Sequence, residues 1–190
     1  MYTTSKDIII KAKKGGYAVP AFNCENLEMV QAIIAAAEET KSPVLLQTTP
    51  STVKYLTLRQ AYAMVKAEAD AASVPVSLHL DHCESYEGVC DALDAGYSSV
   101  MIDASKLPFD ENIALTAKTV AEAHRRGIPV EAELGTVGGK EDSRSASIAY
   151  TDPDQALEFY SKTGIDIFAV AIGTAHGFYK GEPKLDFALL

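Results

Sequence analysis

The stretch 76-VSLHLDHCES-85 begins as an apolar strand and ends, within a few residues, on two histidines, an aspartate, a cysteine and a glutamate. Charged groups at the end of a buried strand are costly unless they meet partners or carry chemistry. The strand is one of a series. With 75-PVSLHL-80, the runs 17-YAVPAF-22, 43-PVLLQT-48, 98-SSVMI-102, 128-IPVEAEL-134 and 166-DIFAVAI-172 read as strands, separated by amphipathic stretches at 26–40, 58–72, 86–96, 110–127 and 153–164. Gly96, Gly127 and Gly164 stand where helices should stop, and Pro153 where one should start. After a short leading helix over 4–13, the pattern predicts about six strand–helix units and a parallel sheet.

Periodicity alone fits a doubly wound sheet and a (β/α)8 barrel equally. Placement of the polar residues separates them. Asn23, Thr49, Asp81 with His82, Asp103, Glu133 and the segment 173–176 all fall at or just past the C-terminal end of a strand. A barrel gathers those ends into one ring, whereas an open sheet spreads them along a line. The expectation is therefore an α/β TIM barrel, a single domain over residues 1–190 holding about six of the eight units. A whole barrel takes about 250 residues, so the chain reads as C-terminally incomplete.

The formal charge of −9, from 17 basic against 26 acidic residues, argues against nucleic acid or an anionic membrane as a partner. The first residues lack a signal-peptide core and no apolar run approaches a membrane span, so the expected location is cytoplasmic. Cys24, Cys83 and Cys90 are odd in number and lack CxxC spacing, which points to reduced thiols.

His82 beside Asp81, and His176 within 172-IGTAHGFYKG-181, place two imidazoles after strands that a barrel brings to one face, as nitrogen ligands suited to zinc. Catalytic zinc normally takes three protein ligands. His79 lies back within its strand and His124 lies beside Arg125 and Arg126 on a polar helix face, so both read as supporting residues. Glu131 and Glu133, two apart on a strand, project to one side and either meet a cation in a buried salt bridge or serve the site. The glycine-rich segment 135–139 reads either as a solvated loop or as one that swings a carboxylate such as Glu141 over a substrate. Asp103 either caps the next turn or joins the site. The run 166-DIFAVAIG-173 has no lysine for a Schiff base, which makes metal-based electrophilic catalysis the more consistent chemistry.

PAFN (20–23), HLDHC (79–83), SVMIDAS (99–105), VEAELGTVGGKED (130–142) and AVAIGTAHGFY (169–179) together resemble the class II, zinc-dependent ketose-bisphosphate aldolases, enzymes of fructose or tagatose 1,6-bisphosphate. The resemblance runs in order from Tyr2 to Leu190. It implies a (β/α)8 barrel, a lyase with zinc as cofactor and room for a monovalent cation, phosphorylated ketose and triose phosphates as substrates, and a homo-oligomer. By position, it implies His82 and His176 as zinc ligands and Asp81 as the catalytic acid/base. Asp103 and Glu133 match carboxylates of a second metal position, and Glu141 matches a loop carboxylate that exchanges a carbon-bound proton. Gly177 matches a backbone contact to the triose phosphate half, and Asn23 and Thr49 match substrate-side polar positions, Thr49 standing where fructose-type members commonly carry serine. The third zinc histidine and the phosphate loops, which follow the seventh and eighth strands in the family, are not in this sequence.

Overall fold

A computed structural model describes residues 1–141, 144–146, 149–179 and 181–190, with side chains at 140, 141 and 144–146 outside the description. In chain order the elements are α1 (Ser5–Gly15), β1 (Ala21–Asn23), α2 (Leu27–Glu39), β2 (Val44–Thr48), α3 (Pro50–Leu56), α4 (Leu58–Ala71), β3 (Val76–Cys83) and α5 (Tyr86–Ala95). There follow β4 (Ser99–Ile102), α6 (Phe109–Arg125), β5 (Val130–Leu134), β6 (Gly138–Glu141), β7 (Arg144–Ala146), α7 (Pro153–Thr163), β8 (Ile167–Val170) and β9 (Ala175–His176). Local chemistry sets the helix ends. The side chains of Asn26, Ser85 and Asp152 accept backbone N–H bonds from Met29, Gly88 and Gln155, caps worth about 1 kcal/mol each. Gly164, at φ 69°, closes α7 in the left-handed conformation.

The structure differs from the sequence expectation in the first half of the chain at two places: the first strand is three residues long, and helix α3 occupies a segment that periodicity leaves as a loop. Both follow from proline. Pro20 has no N–H for the ladder and contributes only its carbonyl, to Leu45 N, while Pro50 opens α3 directly after the Thr49 cap.

The main sheet runs β1-β2-β3-β4-β5-β8, with every neighbouring pair parallel. Strand order never reverses, which is the winding of a barrel; a doubly wound sheet would reverse at a switch point. A second small sheet, β7-β6-β9, stands beyond the strand ends. On the helix side of the main sheet, Val44 and Leu46, Val76, Leu78 and Leu80, Val100 and Ile102, and Val130 and Ala132 pack with Val30, Val65, Val89 and Phe159 of the helices. Each such Val or Leu contributes roughly 1.5–3 kcal/mol by burial. Strand alternation then sends Gln47, His79, Ser99, Glu131 and Glu133 to the other, concave face. At its N-terminal end, Asp166 joins three elements: it accepts from Lys6 Nζ (2.9 Å), from the backbone N of Val130 (3.0 Å) and pairs with His124 Nε2 (2.7 Å). No described helix is long and apolar enough to cross a membrane.

Candidate active site at the strand ends

Adjacent residues of a strand normally face opposite sides of the sheet, yet Asp81 and His82 both line one cleft. The register explains this. Leu80 pairs with Val100 and Cys83 with Ile102, so β3 carries one residue more than β4 over that interval. This is a bulge, which re-aims side chains, and His82 absorbs it at φ 47°. A left-handed conformation at a non-glycine residue costs roughly 1–3 kcal/mol and marks a position that the surroundings must hold in place. The cleft encloses about 360 Å³ and includes Gln47, Asp81, His82, Glu131, Glu133 and His176 in its wall. A larger hollow of about 790 Å³ lies on the helix side, around Val53, Leu58, Leu80 and Gly88, away from the inward carboxylates.

Within the cleft, Gln47 Nε2 donates to Asp81 Oδ2 and to Asn23 Oδ1, both at 2.7 Å. His82 Nδ1 lies 2.9 Å from Asp103 Oδ2, while Asp103 Oδ1 accepts from Ser105 N (3.1 Å) and Ser105 Oγ (2.6 Å). Asp103 is thus both a turn cap and a partner of the imidazole. A carboxylate on Nδ1 keeps the proton there and turns the Nε2 lone pair outward, the arrangement common behind metal-binding histidines. The His176 ring stands edge-on to that of His82, centroids 5.1 Å apart.

The electrostatics show a site short of positive charge. Burial and then the nearby Asp81 charge push the Glu131 carboxyl up to about 7, against a weaker pull from His82. Burial and Asp103 raise Glu133 in the same way. Burial also opposes ionisation of Asp103, but hydrogen bonds from His82 and Ser105 outweigh it and hold this carboxyl well below its ordinary range. A divalent cation would relieve the crowding. Donor atoms of His82, Asp103 and Glu133, all buried, lie within 4.8 Å of one another, and imidazole nitrogen and carboxylate oxygen are both donors that zinc accepts. On donor chemistry and charge, these residues fit zinc.

The glycine-rich segment docks against His176. Gly139, at φ 91°, pairs with His176 across β6 and β9, and a Cβ at Gly139 would stand 2.2 Å from the His176 carbonyl oxygen. Only glycine allows this approach. The segment is thereby a small sheet rather than a free loop, and Glu133 Oε1 reaches back to Val137 N at 3.5 Å.

The structure thus brings together Asn23, Asp81, His82, Asp103, Glu133 and His176. Gly177 follows His176 at the exposed rim. Thr49 is drawn away: its hydroxyl caps α3 through Thr52 N and contacts Ser51 and Thr52. Glu141 ends β6, and its side chain lies outside the described residues, as does Asp142. Gln47 and the supporting contacts of His79 are not singled out by motif reading; the available signal is a polar residue in the inward register of an otherwise apolar strand. His124 is the surface partner of Asp166, as its position beside two arginines suggests.

Residues 3–190 match the family described as fructose-bisphosphate aldolase class-II. A probable fructose-bisphosphate aldolase of Bacillus subtilis is 51% identical over 185 residues, covering 95% of this chain and 65% of that protein. A fructose-bisphosphate aldolase of Staphylococcus aureus is 48% identical over 188 residues, with 96% and 65% covered. Among solved structures, the YdjI aldolase of Escherichia coli K12 superposes with a TM-score of 0.89 at 41% identity, over 100% of this chain and 67% of that one. A putative fructose-1,6-bisphosphate aldolase of Coccidioides immitis gives 0.87 at 34% identity, over 96% and 65%. The chain spans about 65% of the length of the curated relatives it matches.

Proposed function

Since the chain belongs to the class II fructose-bisphosphate aldolase family, we propose that the protein carrying it catalyses zinc-dependent, reversible aldol cleavage of a ketohexose 1,6-bisphosphate. The products are dihydroxyacetone phosphate and glyceraldehyde 3-phosphate, and fructose 1,6-bisphosphate is the substrate that the relatives' names support. Residues 1–190 then form part of one barrel domain. The observation that carries this reading is the bulge between Leu80 and Cys83, which turns Asp81 and His82 into one cleft beside His176.

His82 and His176 are the proposed zinc ligands, with Asp103 and Glu133 as carboxylates of a second metal position. Zinc bound there supplies Lewis-acid polarisation of a substrate carbonyl. Asp81 accepts the proton of the C4 hydroxyl in cleavage and returns it in condensation, as a general base and acid. Gln47, bonded to both Asp81 and Asn23, holds Asp81 by Oδ2 at the cleft. Glu141 is assigned the exchange of the carbon-bound proton, and Gly177 a backbone contact to the triose phosphate half. Asn23 is a substrate-side contact; Thr49 would reach substrate only by giving up its cap on α3.

Chelation followed by metal addition tests the reading. Turnover of fructose 1,6-bisphosphate should vanish on zinc removal and return with zinc. Full cleavage by the metal-free protein would overturn it.

A further inference from the structure

Below the cleft, three polar side chains occupy a layer that barrel interiors usually fill with branched apolar residues. Ser5 and Ser99 are fully buried and His79 is 2% exposed. Ser5 Oγ donates to Ser99 Oγ at 2.8 Å, and Ser99 Oγ lies 2.7 Å from His79 Nδ1. Ser99 Oγ accepts from Ser5 and has its own proton to give, for which His79 Nδ1 is an acceptor within reach; in that arrangement Nδ1 accepts and Nε2 carries the ring hydrogen. Burial, and then the charge of His82, lower the His79 pKa to about 3, so the ring is neutral and holds a single N–H. That N–H points to Glu131 Oε2 at 3.6 Å and Asp81 Oδ1 at 3.9 Å, beyond hydrogen-bond length but close for a dipole facing two carboxyls. Asp81 Oδ2 meets Gln47 on its other side.

We propose that Ser5, Ser99 and His79 form a hydrogen-bond relay that positions the Asp81 carboxylate, with its origin in the first turn of α1. The residues are positioning residues, and the proposal rests on the acid–base role assigned to Asp81 above. The relay works by selecting a tautomer. Without the Ser99 hydroxyl, the proton moves freely between the ring nitrogens, and the Nε2 lone pair then faces two carboxyls instead of an N–H. Asp81 loses a favourable dipole at Oδ1 and, with it, part of what orients its carboxylate.

The test uses the protein carrying this chain, labelled with 15N-histidine, and Ser99→Ala, Ser99→Thr and Ser5→Ala variants. In the wild type, the His79 ring nitrogens should report a neutral Nε2–H tautomer. Ser99→Ala should give a tautomer mixture and a kcat lower by roughly 10- to 100-fold, as for other supporting shells, with KM and zinc content held. Ser99→Thr should restore both tautomer and kcat, and Ser5→Ala should fall between. A wild-type Nδ1–H tautomer, or wild-type kcat in Ser99→Ala, would overturn the relay. If Ser99→Ala fails to fold, the wild-type tautomer and Ser5→Ala decide the question alone. A wild type without aldol turnover would instead refute the proposed activity, since the tautomer measurement needs no substrate.

Discussion

His82 holds a strained backbone because only an extra residue in β3 can turn two consecutive side chains into one cleft. His79, three residues earlier, shows the complementary case of a side chain kept neutral by burial. Its folded pKa near 3 lies below the ordinary value near 6.5, so between those values the unfolded chain binds a proton that the native state refuses. Stability from this group is present above about pH 6.5 and lost as pH falls towards 3. At about pH 5 the loss is about 2 kcal/mol, a figure set by the unfolded value alone. Glu131, raised to about 7, works in the opposite sense; the difference between wild type and His79→Gln therefore isolates the histidine. Urea midpoints at pH 7 and pH 5 should converge for the variant relative to the wild type, and an unchanged gap would exclude a neutral His79. The apolar-then-polar pattern of 76-VSLHLDHCES-85 makes the strand and its chemistry legible, but the bulge depends on register with β4, which no local pattern encodes.

At the scale of elements, alternation and caps made the strand–helix order readable, while α3 was too short to show a period. Two tertiary devices were also hidden, since each joins segments far apart in the chain. Asp166 ties α1, α6 and β5. Burial works against its ionisation, but hydrogen bonds from Lys6, His124 and Val130 prevail and lower its pKa. A depressed carboxylate stabilises the fold above the unfolded value of about 3.9 and loses that contribution as pH falls through the folded value. Asp166→Asn should cost about 1–3 kcal/mol at neutral pH, and the difference should close in acid; chemical denaturation across that range checks it. Gly139 is the second device. Gly139→Ala should prise β6 from β9, leave His176 poorly held, and weaken zinc binding by roughly 10- to 100-fold in a competitive chelator titration. Unchanged zinc affinity would show that the small sheet does not position His176.

For the whole molecule, the winding of the sheet was decided by where polar residues fell relative to strand ends, and the parallel, unreversed strand order agrees. Gln47 escaped because its role depends on curvature that brings β1, β2 and β3 around a common cleft. Four carboxyls gather at that cleft, two of them raised by burial and by the charges of Asp81 and Asp103, and on the proposed reading zinc would bind the native state better than the unfolded chain. Zinc at about 100 times its Kd should therefore stabilise the protein by about 2.7 kcal/mol, visible as a rise in Tm that chelation reverses. The central claim is that this cleft separates metal holding from proton transfer, with Asp81 carrying the proton. Zinc content and fructose 1,6-bisphosphate cleavage measured together on Asp81→Ala test it most directly. Full zinc occupancy with turnover lowered by roughly 100-fold or more is the predicted result, and near-normal turnover in the zinc-loaded variant would contradict it.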